Sequence, residues 1–297
     1  PHHSEYTPDR WKGREWISGF DGSAGTAVVT MDSAALWTDS RYFLAAEKQL
    51  EGTSFQLMRL KVKGTPTIAR WLADKLKDTN AQVGVDGMCN NVSSVENLIH
   101  ELRRQGGITV RTNFDPLNEI WKGRPAIPDH KIEVYPMKYA GETALSKMRR
   151  VRATLCDMGA DGMLVSALDD IAWLLNLRGT DVHCNPVFVA YLLLSTDKAT
   201  LFIDKAKLTP QVEEYLKAQD VGMESYDKVG EGLREYFEYN ILLDPEETSY
   251  TLYNIIASAD SKAYAKSIVR HASPIPAMKA VKNDVEIAGY HNAMLRD

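Results

Sequence analysis

Hydrophobic positions along this 297-residue chain switch repeatedly between a period of two and a period of three to four, the pattern of strands alternating with helices. Val28-Val29-Thr30 and Ala34-Ala35-Leu36-Trp37 flank the short turn Met31-Asp32-Ser33 and predict a hairpin. Ser40 to Leu50 has helical composition. Thr65-Pro66 predicts a helix start, with threonine as cap, proline in the first turn and Ile68, Trp71, Leu72 and Leu76 on one face. Gln82 to Asp86 is a short strand, and Ser93-x-x-Glu96 predicts a capping box. The helix it opens turns Val95, Leu98, Ile99 and Leu102 inward and stops at Gly106-Gly107. A strand at Ile108 to Thr112 follows.

Pro116 to Pro128 is polar and irregular, the expected linker. Beyond it, Leu145, Met148, Val151, Leu155 and Met158 share a helical face that ends at Gly159. Next come a strand at Met163 to Val165, a helix from Asp169 and a hairpin of Val187–Leu194 with Ala199–Ile203. Thr209-Pro210 predicts a capped helix with Val212, Tyr215 and Leu216 inward, and Ile241 to Leu243 is a late strand.

The two halves echo each other. Trp16, Gly19-Phe20-Asp21, a hairpin, Leu36-Trp37-Thr38-Asp39 and a helix are matched by Trp173, Gly179-Thr180-Asp181, a hairpin, Leu201-Phe202-Ile203-Asp204 and a helix. The offset drifts from 157 residues (Trp16 to Trp173) to 165 (Asp39 to Asp204), as in a divergent duplication. Chance similarity between two α/β domains is the alternative. At the end, Lys282-Asn283-Asp284 predicts a helix start, with Val285, Ile287, Ala288 and Met294 as an apolar stripe. It is either a chain cut short or a terminal helix docked on the second domain.

Composition narrows the class. Hydrophobic residues are 44% and charged residues 25%, ordinary for a folded soluble protein. A formal net charge of −5 gives no electrostatic reason to expect nucleic acid, and no apolar run approaches the ~20 residues of a membrane span. Cys89, Cys156 and Cys184 form no close pair, which fits reduced thiols in a cytoplasm-like compartment and argues against a zinc site. Pro1-His2-His3 carries neither an initiator methionine nor a signal-peptide pattern, so a segment upstream is expected.

Residue types alone give no complete catalytic constellation. Asp21-Gly22-Ser23-Ala24-Gly25 fails as a nucleophile elbow, because aspartate stands where glycine is needed and a strand follows the serine; a tight turn is the expectation. None of His2, His3, His100, His130, His183, His271 and His291 has metal-ligand spacing. His2-His3-Ser4-Glu5 reads better as a polar loop than as a metal site. Asp169-Asp170 reads better as the cap of a following helix than as an acid/base pair.

Longer stretches carry a family resemblance. His3 to Tyr6, Ile17 to Ala27, Trp37-Thr38-Asp39-Ser40-Arg41-Tyr42-Phe43-Leu44, Ala167 to Gly179, Asn185 to Phe188 and Lys279 to Asn283 resemble aminopeptidase P, the Xaa-Pro aminopeptidases, in order along the whole chain. The resemblance is to the three-domain cytosolic type. It implies two tandem creatinase/prolidase N-terminal-like α/β domains, each a mixed β-sheet flanked by helices, with the pita-bread catalytic domain absent. The expected domains are residues 1–125, missing their first elements, then 126–275, then 276–297 as the start of the catalytic domain. It further implies a homodimeric cytoplasmic metalloprotease that removes a residue preceding proline from peptides, using metal-bound hydroxide and two divalent metals, manganese, held in the missing domain. No catalytic or metal-binding residue then falls in this chain, whose part is to shape the substrate cleft and support oligomerisation.

The same resemblance places a peptide-contacting arginine at Arg41; Asp39, two residues before it, is the candidate to orient it. A guanidinium suits that role because it is always charged and offers a fork of donors. The competing function is a non-catalytic peptide- or protein-binding module, since creatinase-like domains also occur in proteins that bind peptides or histones without cutting. The Trp37 to Arg41 motif and the Lys279 to Asn283 junction favour the peptidase. Creatinase and prolidase themselves carry a single N-terminal domain, against the two read here.

Overall fold

The computed structural model describes residues 1–297 apart from Asp78, Ala259, Tyr264, Lys266 and Asp297. The chain divides into two compact units, Glu5–Gly87 with Ser93–Ile127, and Pro128–Asp297 with Pro1–Ser4 and Met88–Val92.

The first unit runs α1 (Gly13–Ser18), β1 (Thr26–Val29), β2 (Ala34–Thr38), α2 (Phe43–Gln49), β3 (Phe55–Arg59), α3 (Ile68–Lys75), β4 (Val83–Gly84), α4 (Val92–Gly106) and β5 (Val110–Arg111). β1 and β2 form the expected antiparallel hairpin, and β3 joins β2 in parallel after α2 crosses over. β4 and β5 pair in parallel as a separate two-stranded sheet. Alternation along β2 sorts its side chains: Ala35 and Trp37 pack with Trp71, Leu72 and Leu102 of α3 and α4, while Leu36 packs with Phe20, Ala46 and Leu50. The Trp37 indole donates to the Pro66 carbonyl at 2.9 Å and meets Trp71 edge to face at 5.5 Å.

Two helix starts differ from expectation. The cap of α3 is Thr67, whose hydroxyl accepts from the Arg70 amide, rather than Thr65; the Pro66 carbonyl is committed to Trp37. α4 begins at Val92, so Ser93 lies inside the helix instead of capping it. Its end is as read, with Gly107 in the left-handed region at φ 70°.

The second unit runs β6 (Glu133–Val134), α5 (Met137–Ala140), α6 (Ala144–Asp157), β7 (Met163–Val165), α7 (Leu168–Leu174), β8 (Leu177–Arg178), β9 (Ala190–Leu194), β10 (Ala199–Ile203), α8 (Pro210–Ala218), β11 (Gly222–Glu224), α9 (Val229–Glu235), β12 (Asn240–Leu243), α10 (Tyr250–Ala257), β13 (Ser267–Arg270), α11 (Ile275–Ala280) and α12 (Asp284–Met294). Six strands form one mixed sheet in the order β11-β10-β9-β7-β12-β13. Continuous apolar runs mark central strands covered on both faces. Met163, Val165, Leu192 and Leu194 pack with Met148, Leu155 and Leu216 of α6 and α8. Leu164, Tyr191 and Leu193 pack with Leu233, Leu252 and Ile256 of α9 and α10.

The halves share a topology. A hairpin, a helix, a strand parallel to the second hairpin strand, and two further helix–strand steps ending in a parallel pair occur in both units. The sheets themselves differ: β7 lies between β9 and β12 in the second unit, whereas the first unit's strands are divided between β1 and β4. At the end of the chain, Asn283 and Glu286 form a full capping box, but Val285, Ile287, Tyr290 and Met294 of α12 are exposed.

Candidate functional site

The residue singled out for substrate contact sits at the end of the first hairpin. β2 closes with Thr38, which is fully buried and donates from its hydroxyl to the Ala24 carbonyl at 2.6 Å. The chain then turns on Asp39, whose Oδ1 accepts the Arg41 amide at 3.1 Å, so the side chain shapes the turn two residues ahead. The same carboxylate receives the guanidinium: Arg41 Nε donates to Oδ1 at 3.0 Å and Nη2 to Oδ2 at 2.8 Å. Asp39 and Arg41 thus form a two-point ion pair, which stands in solvent with 61% of the arginine side chain exposed. The hydrogen bond from Arg41 holds the Asp39 carboxyl below the usual carboxylate range, and Asp39 raises the guanidinium in turn, so the pair stays charged across ordinary pH.

The guanidinium also lies over the Tyr42 ring, 5.1 Å from its centroid. The Tyr42 hydroxyl meets Ser23 Oγ at 2.7 Å, and Ser23 reaches Glu5 at 3.4 Å. This is where the Asp21 to Gly25 segment acquires a purpose. It is a turn, as expected, and it is tied at nearly every residue. Arg14 donates to the carbonyls of Gly22 and Gly25, and Gln49 Nε2 donates to Asp21 at 2.7 Å. A Cβ on Gly22 would stand 2.3 Å from Phe20 and 2.8 Å from Tyr42, so glycine is what lets the turn lie on both rings. Sequence reading missed the Arg14 clamp and the Ser23–Tyr42 pair. The only signal for them was the close spacing of Gly22, Ser23 and Gly25.

Other candidates resolve differently. His2 lies in an irregular segment, as expected, but is not an exposed polar residue. It is buried, with Nδ1 2.9 Å from the Ser166 carbonyl, Nε2 2.9 Å from the Tyr226 hydroxyl and its ring 4.4 Å from Tyr191. Burial drives its pKa well below that of a free imidazole and lowers that of His3 to about 4. Asp169 and Asp170 do not cap α7, whose cap is Ala167. They lie in its first turn and share the Lys279 ammonium, with Asp170 at 2.7 Å. Nearby, Glu247 is pushed up to about 7 by burial and by the charges of Asp170, Asp244 and Asp169. Among the described residues, no group of three or more histidine, cysteine, aspartate or glutamate side chains is arranged to hold a metal ion. Nor is any helix among them long and apolar enough to cross a membrane.

The chain matches the creatinase/prolidase N-terminal domain twice, over residues 10–117 and 123–286. It is 38% identical over 322 residues to aminopeptidase P2 of Arabidopsis thaliana, covering 100% of this chain and 45% of the plant protein. Against Xaa-Pro aminopeptidase 1 of Dictyostelium discoideum the identity is 37% over 307 residues, covering 100% and 47%. The crystal structure of X-prolyl aminopeptidase from Caenorhabditis elegans, described as a cytosolic enzyme with a di-nuclear active site, superposes with a TM-score of 0.86 at 28% identity over 98% of this chain and 47% of that one. The chain thus spans about half the length of these relatives.

Proposed function

The chain belongs to the creatinase/prolidase N-terminal domain family, and from this we propose that it is the non-catalytic N-terminal part of a metal-dependent Xaa-Pro aminopeptidase. The observation that carries the reading is the whole-chain match to aminopeptidase P relatives, with two family domains in tandem. In this reading no catalytic step is assigned to the side chains of this chain. Two divalent metals, manganese in this reading, belong to the remainder of the parent enzyme, a cytoplasmic homodimer. Domain one is residues 1–125, domain two is residues 126–275, and 276–297 lead into the catalytic domain. Arg41, oriented by Asp39, touches the peptide.

The test compares the full-length protein with the isolated 297-residue chain on a tripeptide with proline in second place. The metal-loaded full-length protein is expected to release the first residue, and the isolated chain to bind no stoichiometric transition metal and cleave nothing. Cleavage by the isolated chain, or none by the metal-loaded full-length protein, overturns the reading.

A further inference from the structure

Charge holds α11 to the second unit. The helix buries Ile275 in the core, and Met278 packs against the same cluster. Its Lys279 ammonium is shared by Asp169 and Asp170 in the first turn of α7, with Asp170 Oδ1 at 2.7 Å. The other end of the helix is tied by Asp244, just past β12. Asp244 Oδ2 accepts the amide of Ser273, two residues before α11, at 2.8 Å, and Oδ1 accepts the amide of Glu246 at 2.9 Å. Glu247 stands on that same loop, where Asp170, Asp244, Asp169 and Lys279 are the charges that act on it. Four carboxyl groups thus share one ammonium.

The cluster is short of positive charge. Asp170 is 1% exposed, and its Oδ2 has no hydrogen-bond partner. A buried carboxylate of that kind depends on its cation. Burial and the three aspartates push the Glu247 carboxyl up to about 7, and Lys279 is the charge that acts the other way. Such coupling is reciprocal: a cation that favours the ionised form of Glu247 is held more tightly once Glu247 is ionised. The Met88–Val92 segment, bonded to the loop through Asn91 and Val92, brings no charge. His271, on the loop before α11, is exposed, with Nδ1 2.9 Å from the Ala272 carbonyl.

We propose that α11 is a pH-dependent latch: Lys279 is the bolt, ionisation of Glu247 tightens it, and the last two helices seat on the second unit more firmly above neutral pH than below it. α12 follows the seat of α11 closely, since Lys282 Nζ donates to the Lys279 carbonyl at 2.7 Å and Asn283 Nδ2 to the Ala140 carbonyl at 2.8 Å. The latch concerns how the chain holds its own helices and goes beyond the aminopeptidase reading.

Hydrogen exchange of the full-length protein reads the seat as the protection of α11 (Ile275–Ala280) divided by that of α6 (Ala144–Asp157) in the same unit, so that global unfolding and the intrinsic pH dependence of exchange cancel. From about pH 5.5 to about pH 8.5 this ratio is expected to rise about 3- to 10-fold, as a partly exposed charge pair forms. Glu247→Gln keeps the size of the side chain and removes its titration, and its ratio should stay within about twofold over the same range. Lys279→Gln should lower the ratio more at the higher pH than at the lower. A wild-type ratio that is flat or falls with pH overturns the latch. So does a rise that persists in Glu247→Gln, which would assign the titration to another group such as His271.

Discussion

The two hairpins end in the same turn and put it to opposite uses. After β2, Asp39 Oδ1 accepts the amide of Arg41 at 3.1 Å; after β10, Asp204 Oδ1 accepts the amide of Ala206 at 2.8 Å. In the first unit the residue held by the turn is an arginine, and its ion pair stays in water. In the second unit that position is alanine, and the next residue, Lys207, is wholly buried against Asp181, with the Pro128 carbonyl as a further acceptor. Asp181 is itself the counterpart, in the repeat, of Asp21. The same backbone turn stands beside a hydrated ion pair in one unit and a buried one in the other. Exposed pairs contribute little to stability, while a buried pair is costly to break.

The largest expected effect is therefore on the buried side. Lys207→Met leaves Asp181 buried without its cation and is expected to cost the second unit about 3–5 kcal/mol in chemical denaturation. Adding Asp181→Leu to Lys207→Met should recover part of that loss, since an apolar pair leaves no charge stranded. A loss below about 1 kcal/mol in the single variant would mean that the buried pair is no anchor.

Next comes the sheet. β9 has a neighbour on both sides, while β1 has one neighbour, β2. Hydrogen exchange should find alternate amides of Thr26–Val29 exchanging about 100-fold faster than the amides of Ala190–Leu194, because open-edge groups exchange without global unfolding. Equal protection would show that the first unit's sheet is not divided as described.

A smaller effect is expected at Glu247. Its native carboxyl, raised to about 7 from an ordinary value of 4.5, keeps a proton that the unfolded chain has already released. Stability from this group is thus present at low pH and declines as pH rises from about 4.5 through 7. His2, buried, and His3, half-buried, have lowered values and act in the opposite sense, weakening the fold as pH falls below 6.5. The stability difference between the parent chain and Glu247→Gln should therefore change by about 1–2 kcal/mol across the Glu247 window, allowing for its partial exposure to solvent. A difference independent of pH would place its titration elsewhere. Smallest of all, Arg41→Ala should leave the melting temperature of the first unit unchanged, as its pair stands in water.

What could be read in the sequence was what is local and repetitive. The Thr209-Pro210 start of α8 and the stop of α6 before Gly159 appear as read, because each depends on residues within one turn. The hairpins and the duplicated topology were legible through alternation and spacing. Helix starts failed where a distant partner intervened. Thr65 lost the cap of α3 to Thr67 next to a Pro66 carbonyl claimed by Trp37, 29 residues away. His2 looked like part of a polar loop because its partners, Ser166 and Tyr226, are 164 and 224 residues distant. At the candidate site, a separation of two residues was a poor basis for the geometry of Asp39 and Arg41, which depends on the turn between them. Arg14 could not be tied to Gly22 and Gly25, since no short-range rule brings an α1 side chain onto that turn.

The most direct measurement is the kcat/KM of Arg41→Ala in the metal-loaded full-length protein, on a tripeptide with proline second, alongside its metal content and melting temperature. A fall of about 10- to 100-fold with metal and melting temperature unchanged is predicted, because Arg41 would lose one charge-assisted contact while ligating nothing. Wild-type kcat/KM in the same folded, metal-loaded variant would contradict a substrate role for the exposed turn.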